Sequence, residues 1–524
     1  MAKKSKGPAN PSAERLRMMG MWNKMDTILG GTEAMRAAGM QYMTKHAGEE
    51  QPRYDERLNS ALLWNQTELT LGGWVGRPFR TPLTLNDDVP SEIKDLEKNI
   101  DKQGTNMDTF TRKWFRQGIA KAFCHILIEQ PTLMQRTDGA PPTIADLANQ
   151  DIRPYWILIE PDQVIAARQM TIDGKETLTH LRIHELTQEQ DPDDEFNEIQ
   201  VERIRVYDLL AIDDKENTGV FVTVYRRDEQ HPSDESAGWP IETPRFPIDI
   251  DRIPLVTFYA DRQGFLLGKS PLQDLCDLNV GHWNEQSDQD SILRIARFPI
   301  LAASGIPSLD NNDPTSPDVR GRDFNAEGGA VIGPYRILAS EDPQSKFYYV
   351  EHSGAAIAAG RESLKELQGK MAAYGSEFLK KSPDRETATA RALDSAESVS
   401  PLQAVTLSFI DACQSALALT AQWLGQEDGG TVTLITDFGP EEASGIDISA
   451  LSQARQARDI SQQNYLIELK RRGILADDFD ISNNKTELEE EALDLSAAQP
   501  PAATIDLDGQ QAPPEGPPNV PTKE

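Results

Sequence analysis

Three cysteines in 524 residues are too few to staple this chain. Cys124, Cys276 and Cys413 lie far apart, are odd in number and show no CxxC spacing, a reducing, cytoplasmic pattern in which each thiol reads as a small buried apolar residue. Histidine is also scarce: His46, His125, His180, His184, His231, His282 and His352 form no HExxH motif and no Cys/His cluster, which argues against metal ligation. No run approaches the ~18 uncharged apolar residues of a membrane span. The N-terminus, with Lys3, Lys4 and Lys6, lacks the apolar core of a signal peptide, so the chain reads as soluble and unprocessed. Positive charge is in deficit as well, 53 Lys and Arg against 84 Asp and Glu for a net charge of −31. That balance excludes nonspecific wrapping of nucleic acid, which needs a strongly basic face; a DNA partner would be touched locally or allowed to slide.

What is present reads as more than one packed unit with disordered ends. Eight of the twelve methionines fall in the first 43 residues, either as an adaptable local helix or as an arm that docks on a neighbour. Tyr54 to Leu71 reads as a helix ended by Gly72-Gly73, a second helix is expected between Asp87 and Gly104, and a third over Asp108 to Phe123 with Phe110, Trp114 and Ile119. From Tyr155 the period changes to two, in runs separated by Asp, Gly and Asn turns, which predicts an antiparallel β-meander closed by a strand after Ile253-Pro254. The run Asp191 to Glu195 within it reads as solvated loop charge, as does Glu487 to Glu491 in the tail.

Gly268-Lys-Ser270-Pro271 opens a helix to about Arg297, with Ser270 as N-cap. Its Leu272, Leu275, Leu278 and Trp283 precede a stretch, Asn284 to Ser291, that is polar all round and needs either neighbours or a solvated channel. A Pro-rich insertion over 299–352 follows, and then a second long helix. There Ile357, Leu364, Leu367, Met371, Tyr374 and Phe378 form one apolar stripe, so the helix packs on one side only. The two helices make a hairpin capped by a small domain. Past the hinge, Thr387 to Ser398 is helical, Ser400-Pro401 marks a kink, and one face continues from Leu402 to Trp423. The strand TVTLI and a helical region from Ile448 to Gly473 come next, and the last 40 or so residues read as disordered.

The hinge is the chemical feature. Lys380, Lys381 and Arg385 gather around Pro383, which stops the helix, and they place three positive charges together in an acidic chain. Alone, such a turn is usually a solvated spacer; aimed inward, it would meet something anionic. Gly264 to Ser270 superficially suggests a phosphate loop, but three residues separate its glycines where four are needed, and Pro271 already explains the serine as a helix start.

An ordered series of motifs gives these pieces a context: Tyr54-Asp-Glu-Arg57, Asn65-Gln-Thr67 and Gly76-Arg-Pro-Phe79-Arg80; Arg153-Pro154-Tyr155; Ile253-Pro254; Gly268-Lys-Ser270-Pro271-Leu272 with Asp274, Asp277, Leu278 and Asn279; Glu386-Thr387-Ala388 with Ser400-Pro401-Leu402. In this order, from about residue 54 to 475, the chain resembles the portal proteins, or head–tail connectors, of tailed bacteriophages. The N-terminal 50 residues and the tail fall outside the resemblance.

The resemblance implies an α+β portal fold assembled as a homo-oligomeric ring, usually of twelve subunits, at one capsid vertex of the virion, formed in the host cytoplasm. It places a wing at 51–264, stem helices at 265–298 and 353–378, a clip at 299–352, a tunnel loop at 379–387, a wing helix and strand at 388–439 and a crown at 440–484, between an arm at 1–50 and a tail at 485–524. The implied partners are double-stranded DNA in the channel, the terminase packaging motor, head–tail adaptors and major capsid or scaffolding proteins, with no membrane, no cofactor and no catalytic residues. Lys380, Lys381 and Arg385 become the residues facing DNA in an otherwise acidic channel, and Arg320 and Arg322 weaker contacts in the clip. A non-channel capsid or tail adaptor is the rival reading.

Overall fold

Ser12 accepts a hydrogen bond from the Arg15 amide at 3.2 Å and so starts α1 (Ala13–Leu29). α1 and α2 (Gly31–Ala38) turn Met18, Trp22, Met25, Ile28 and Met35 into the core, where Met43 joins them. The Met-rich arm therefore packs into its own chain. The computed structural model describes residues 7–131, 152–172, 174–211, 218–228, 238–296, 300–304, 344, 346–350, 354–377, 401–436, 438, 445–471 and scattered positions between 474 and 488. They fall into two units, Met1–Phe438 and Gly439–Glu524.

The expected helix from Tyr54 to Leu71 is two helices, α3 (Gln51–Ser60) and α4 (Gln66–Gly76). Ala61 is extended, and the Asn65 side chain caps a fresh start by accepting from Glu68 N at 2.9 Å. Gly72 and Gly73 lie inside α4 rather than ending it. Between Asp87 and Gly104 only one turn, α5 (Ser91–Lys94), is helical; the rest is turns fastened by the Asn99 and Asp101 side chains. The third helix is α6 (Met107–Lys121), capped by Asn106 and burying Phe110, Trp114 and Ile119 as expected.

Phe123 belongs to a strand. β1 (Thr84–Leu85) is a short edge piece, whereas β2 (Phe123–Glu129) is the centre of a three-stranded sheet ordered β3-β2-β9, where β3 is Tyr155–Ile159 and β9 is Leu255–Tyr259. The meander proper has five antiparallel strands in sequential order: β4 (Val164–Ile172), β5 (Lys175–Asp191), β6 (Asp194–Ala211), β7 (Thr218–Arg226) and β8 (Ile241–Ile248). β10 (Arg262–Gly264) and β11 (Leu267–Gly268) form a tight hairpin, with Leu266 at φ 51°. The Leu266 amide there donates to the Tyr259 hydroxyl and the Lys269 amide to Asp261 O, so these donors are not free to cradle a phosphate.

α7 (Gln273–Ala296) follows Pro271, and Ser270 caps its start: Ser270 Oγ accepts from Leu272 N at 3.1 Å while donating to Ile119 O at 2.8 Å. The strand pair β12 (Ile300–Ser304) and β13 (Lys346–Val350) leads to α8 (Ala355–Glu377). Pro401 is the first residue of α9 (Pro401–Trp423). By length and composition α9 could cross a membrane, but its Phe409 lies at the centre of an aromatic core with ring centroids 5.0 Å from Trp114, 5.1 Å from Phe115 and 4.9 Å from Phe258. β14 (Val432–Thr433) pairs with β1. In the second unit the expected helical region is two helices, α10 (Gly445–Gln456) and α11 (Gln462–Arg471).

Candidate functional site

The two long helices do form an antiparallel hairpin, and its register can be read from four side-chain contacts. Tyr374 donates to Asp274 at 2.9 Å, Gln368 meets His282 at 3.0 Å, Ser363 donates to Glu285 at 3.3 Å, and Gln289 donates to Ile357 O at 3.1 Å. The paired numbers add to 648, 650, 648 and 646, so neither helix slips against the other. The β12–β13 ladder continues the same alignment, pairing Ile300 with Val350 and Ser304 with Lys346. One two-stranded stalk therefore runs from α7 and α8 into the base of the insertion. At 1.5 Å per residue its helical part is about 35 Å long.

α8 packs as a single stripe. Leu364 and Met371 are buried, Ile357, Gly360, Leu367, Gln368 and Tyr374 are half-buried, and the positions between them are exposed. Phe378, the last expected member, lies outside the described residues. The exposed face carries Arg361, Lys365 and Lys370 against Glu362 and Glu366, with Lys370 paired to Glu366 at 2.8 Å. The exposed charges of α8 are thus of both signs.

α7 is the inner helix, and its polar stretch is satisfied by neighbours. Asn284 donates to Tyr42 O at 2.8 Å and accepts from Thr44 N at 3.2 Å. Asp288 meets His46 Nε2 at 2.9 Å and Arg57 at 3.4 Å. Lys24 pairs with Asp277, a contact that raises the lysine pKa above its ordinary value. Arg57, only 5% exposed, also grips Glu49 at 2.8 Å, and these hydrogen bonds hold the Glu49 carboxyl down at about 2. Segments within 24–57 thus run beside α7 as a clamp. Sequence reasoning missed this, because the partners are more than 200 residues apart along the chain.

The motifs behind the resemblance meet here too. Thr67 donates through both its amide and its hydroxyl to Asn279 Oδ1 at 3.1 Å, and Asn279 returns a bond to Trp64 O at 3.0 Å. α4 packs against both stalk helices. His282, 1% exposed and tilted against the Trp64 ring, has its pKa lowered by burial.

The antiparallel register puts Asp274 and Tyr374 at one end of the hairpin. The stretch 378–400 leaves from that end and rejoins the core at Pro401, whereas the insertion starts from the other end. Lys380, Lys381 and Arg385, and likewise Arg320 and Arg322, lie outside the described residues. Among the described residues no group of three or more His, Cys, Asp or Glu side chains is placed to hold a metal ion. His180 and His184 instead face cross-strand carboxylates, Asp208 at 2.6 Å and Glu202 at 3.5 Å. The three cysteines are buried, and burial pushes the Cys276 thiol up to about 12.

Residues 271–424 match a family model described as a domain of unknown function (DUF4055), a span that includes both stalk helices and α9. No curated protein matches the sequence. Among solved structures the chain is similar to one in the virion of a native gene transfer agent (GTA) particle, at 11% identity and a TM-score of 0.37, with 83% of this chain and 98% of that chain covered. It is similar, at 10% identity and the same TM-score and coverage, to a chain in the neck of the native GTA particle computed with C12 symmetry. A chain in the neck of the empty GTA particle, computed with C6 symmetry, also matches at 10% identity and a TM-score of 0.37, covering 84% of this chain and 98% of that one.

Proposed function

We propose that this chain is the subunit of a portal: a homo-oligomeric ring of twelve copies at one vertex of a phage-like capsid, serving as the channel for DNA packaging and ejection. The observation that carries this reading is the stalk. α7 is fixed to the body on nearly every side, α8 lines it with one dry stripe and presents its other face to solvent, and the hairpin joins a basic segment at one end and an insertion at the other. A wall built from such hairpins has a wet inner surface with a rigid backing.

In this reading α8 faces the duplex. Its charges of both signs, with three cations staggered along the exposed face, offer weak, salt-screened contact that lets DNA slide. Lys380, Lys381 and Arg385 form the tunnel loop at the body end, and Arg320 and Arg322 lie in the clip, which docks the terminase motor and later a head–tail adaptor. Capsid or scaffolding proteins surround the wing. Translocation is driven by the motor, so the ring needs no cofactor and no catalytic group.

Electron micrographs of the purified full-length protein test this directly. Rings with a central hole are expected; a monomer or a small oligomer without a hole overturns the reading in favour of a non-channel adaptor. Within rings, Lys380→Glu with Lys381→Glu is expected to leave assembly intact and reduce packaged DNA. Unchanged genome content in the particles would remove the tunnel-loop role.

A further inference from the structure

The β5–β6 hairpin outgrows its sheet. β4 stops pairing with β5 at Ile183, and β7 pairs with β6 only from Arg203 onward, yet β5 and β6 stay paired with each other to Asp191 and Asp194. Residues 184–191 and 194–202 therefore form a two-stranded ribbon that reaches about 25 Å beyond the sheet. Its tip, residues 191–198, holds five carboxylates, Asp191, Asp193, Asp194, Glu195 and Glu198, and no Lys or Arg. Among them stands Phe196, 89% exposed. An aromatic ring so fully in water at the end of a projecting arm is costly unless something covers it.

On one face of the same sheet lies a groove of about 1130 Å³, bounded by residues 7–14 and by β4 to β7. Met170, Leu209, Tyr225 and Trp239 give it an apolar lining. Arg168 and Arg182 also line it; Arg168 acts on Asp208 across the sheet, two strands away, and Arg182 has no carboxylate among the groups that shift its pKa. Arg182 donates to Pro8 O at 2.6 Å, but its Nε is buried with no acceptor. Burial and the like charge of Arg168 lower the Arg182 pKa from its ordinary value, the response of a cation lacking its anion. The groove's own acids are Glu14 and Asp208, and Asp208 is held by His180 at 2.6 Å, by Arg245 at 3.9 Å and by the charge of Arg168, which leaves Arg182 as the half-buried cation without a counter-charge on it.

The tip's carboxylates are opposite in sign to Arg182 and Arg168, its Phe196 suits the apolar lining, and tip and groove cannot meet within one molecule. Arg182 and Asp191 sit on the same strand nine residues apart, about 30 Å. We propose that the acidic tip of one copy, led by Phe196, seats in the arginine-lined groove of the next copy. Such a contact is heterologous, and repetition closes it into a ring or extends it into a filament. Closure rests on the portal reading; the contact does not.

Sedimentation velocity and native mass spectrometry on the full-length protein test it, using a tip variant (Phe196→Ala, Asp193→Lys, Glu195→Lys) and a groove variant (Arg168→Glu). All four residues are exposed, so folding should be unaffected, which melting curves check. Each variant alone is expected to weaken association about tenfold or more. Mixed one to one, they retain a single good tip–groove pair and should stop at heterodimers. Variants that assemble like a wild-type ring overturn the contact and leave the portal reading standing. Wild-type open chains dissolved by either variant keep the contact and overturn the ring. A wild type monomeric at every concentration overturns both.

Discussion

Gln289 of α7 packs directly on Gly360 of α8: a Cβ built on Gly360 would overlap the Gln289 amide. That amide cannot swing aside freely, since Gln289 is buried and donates to Ile357 O at 3.1 Å. Gly360→Ala should therefore lower stability by about 1–2 kcal/mol through overpacking and a lost buried hydrogen bond. Gly369, on the open side of α8 with nothing within 4 Å, supplies the contrast. Gly369→Ala should be neutral or stabilising by up to about 1 kcal/mol, because alanine loses less backbone entropy in a helix. Thermal melts of the two variants that moved together would remove the close approach from the account.

A second glycine marks where α6 lies on the three-stranded sheet. A Cβ at Gly118 would overlap the edge of the Phe258 ring, 2.3 Å from Cδ1; that ring stacks on Phe115 with centroids 5.5 Å apart and meets Phe409 at 4.9 Å. The ring is fixed on three sides, so Gly118→Ala should cost about 3 kcal/mol, the upper end for overpacking. Denaturant unfolding measures it. A loss below about 0.5 kcal/mol would mean that the helix can lift off the sheet.

These packing details explain what the sequence could and could not disclose. The stripe from Ile357 to Tyr374 was legible because α8 has one dry face and one wet face, so periodicity survives. β2 was not, because Cys124 to Ile128 is buried on both faces between two strands and shows no alternation. The break at Ala61 to Asn65 was hidden because Asn65 fits the helical spacing while its side chain caps a new helix. The polar stretch of α7 posed a choice between neighbours and water, and the neighbours, Tyr42, Thr44 and His46, are set by tertiary folding alone. Of the candidate site, the hairpin was readable and the clamp on it was not; the five cations chosen from the sequence lie outside the described residues.

His125 should make the body acid-sensitive. It sits at the centre of β2, fully buried, with Nδ1 2.8 Å from Thr257 Oγ1 and Nε2 without a partner, and burial lowers its pKa to about 3. The unfolded chain binds a proton near pH 6.5 while the folded protein refuses it until about 3. Stability is therefore full above 6.5 and falls as pH drops through that window, by up to about 1.4 kcal/mol per pH unit. His125→Gln should remove this component. Parallel pH profiles for wild type and variant between 6.5 and 4 would show that the imidazole takes up its proton in the fold.

The clamp on α7 gives the last prediction, with a different pH window. The Arg57 hydrogen bonds hold Glu49 at about 2 in the fold, against an ordinary 4.5. Stability from this carboxylate is present above 4.5 and lost as pH falls toward 2, so the advantage of wild type over Glu49→Gln should be constant above pH 5 and shrink below it. Removing the cation is more disruptive than removing the acid. Arg57→Met leaves Glu49, 10% exposed, without its counter-ion and also strips Asp288 and Thr44 O of a donor, so it should cost about 3 kcal/mol. Pairing it with Glu49→Leu should recover part of that loss, because two apolar groups replace two charges. Because Arg57 ties residues 44–57 to α7, hydrogen exchange in Arg57→Met should rise first at Tyr54 and the Thr44 amide. Exchange that rose uniformly over the first unit would mean that the arm and the stalk open together.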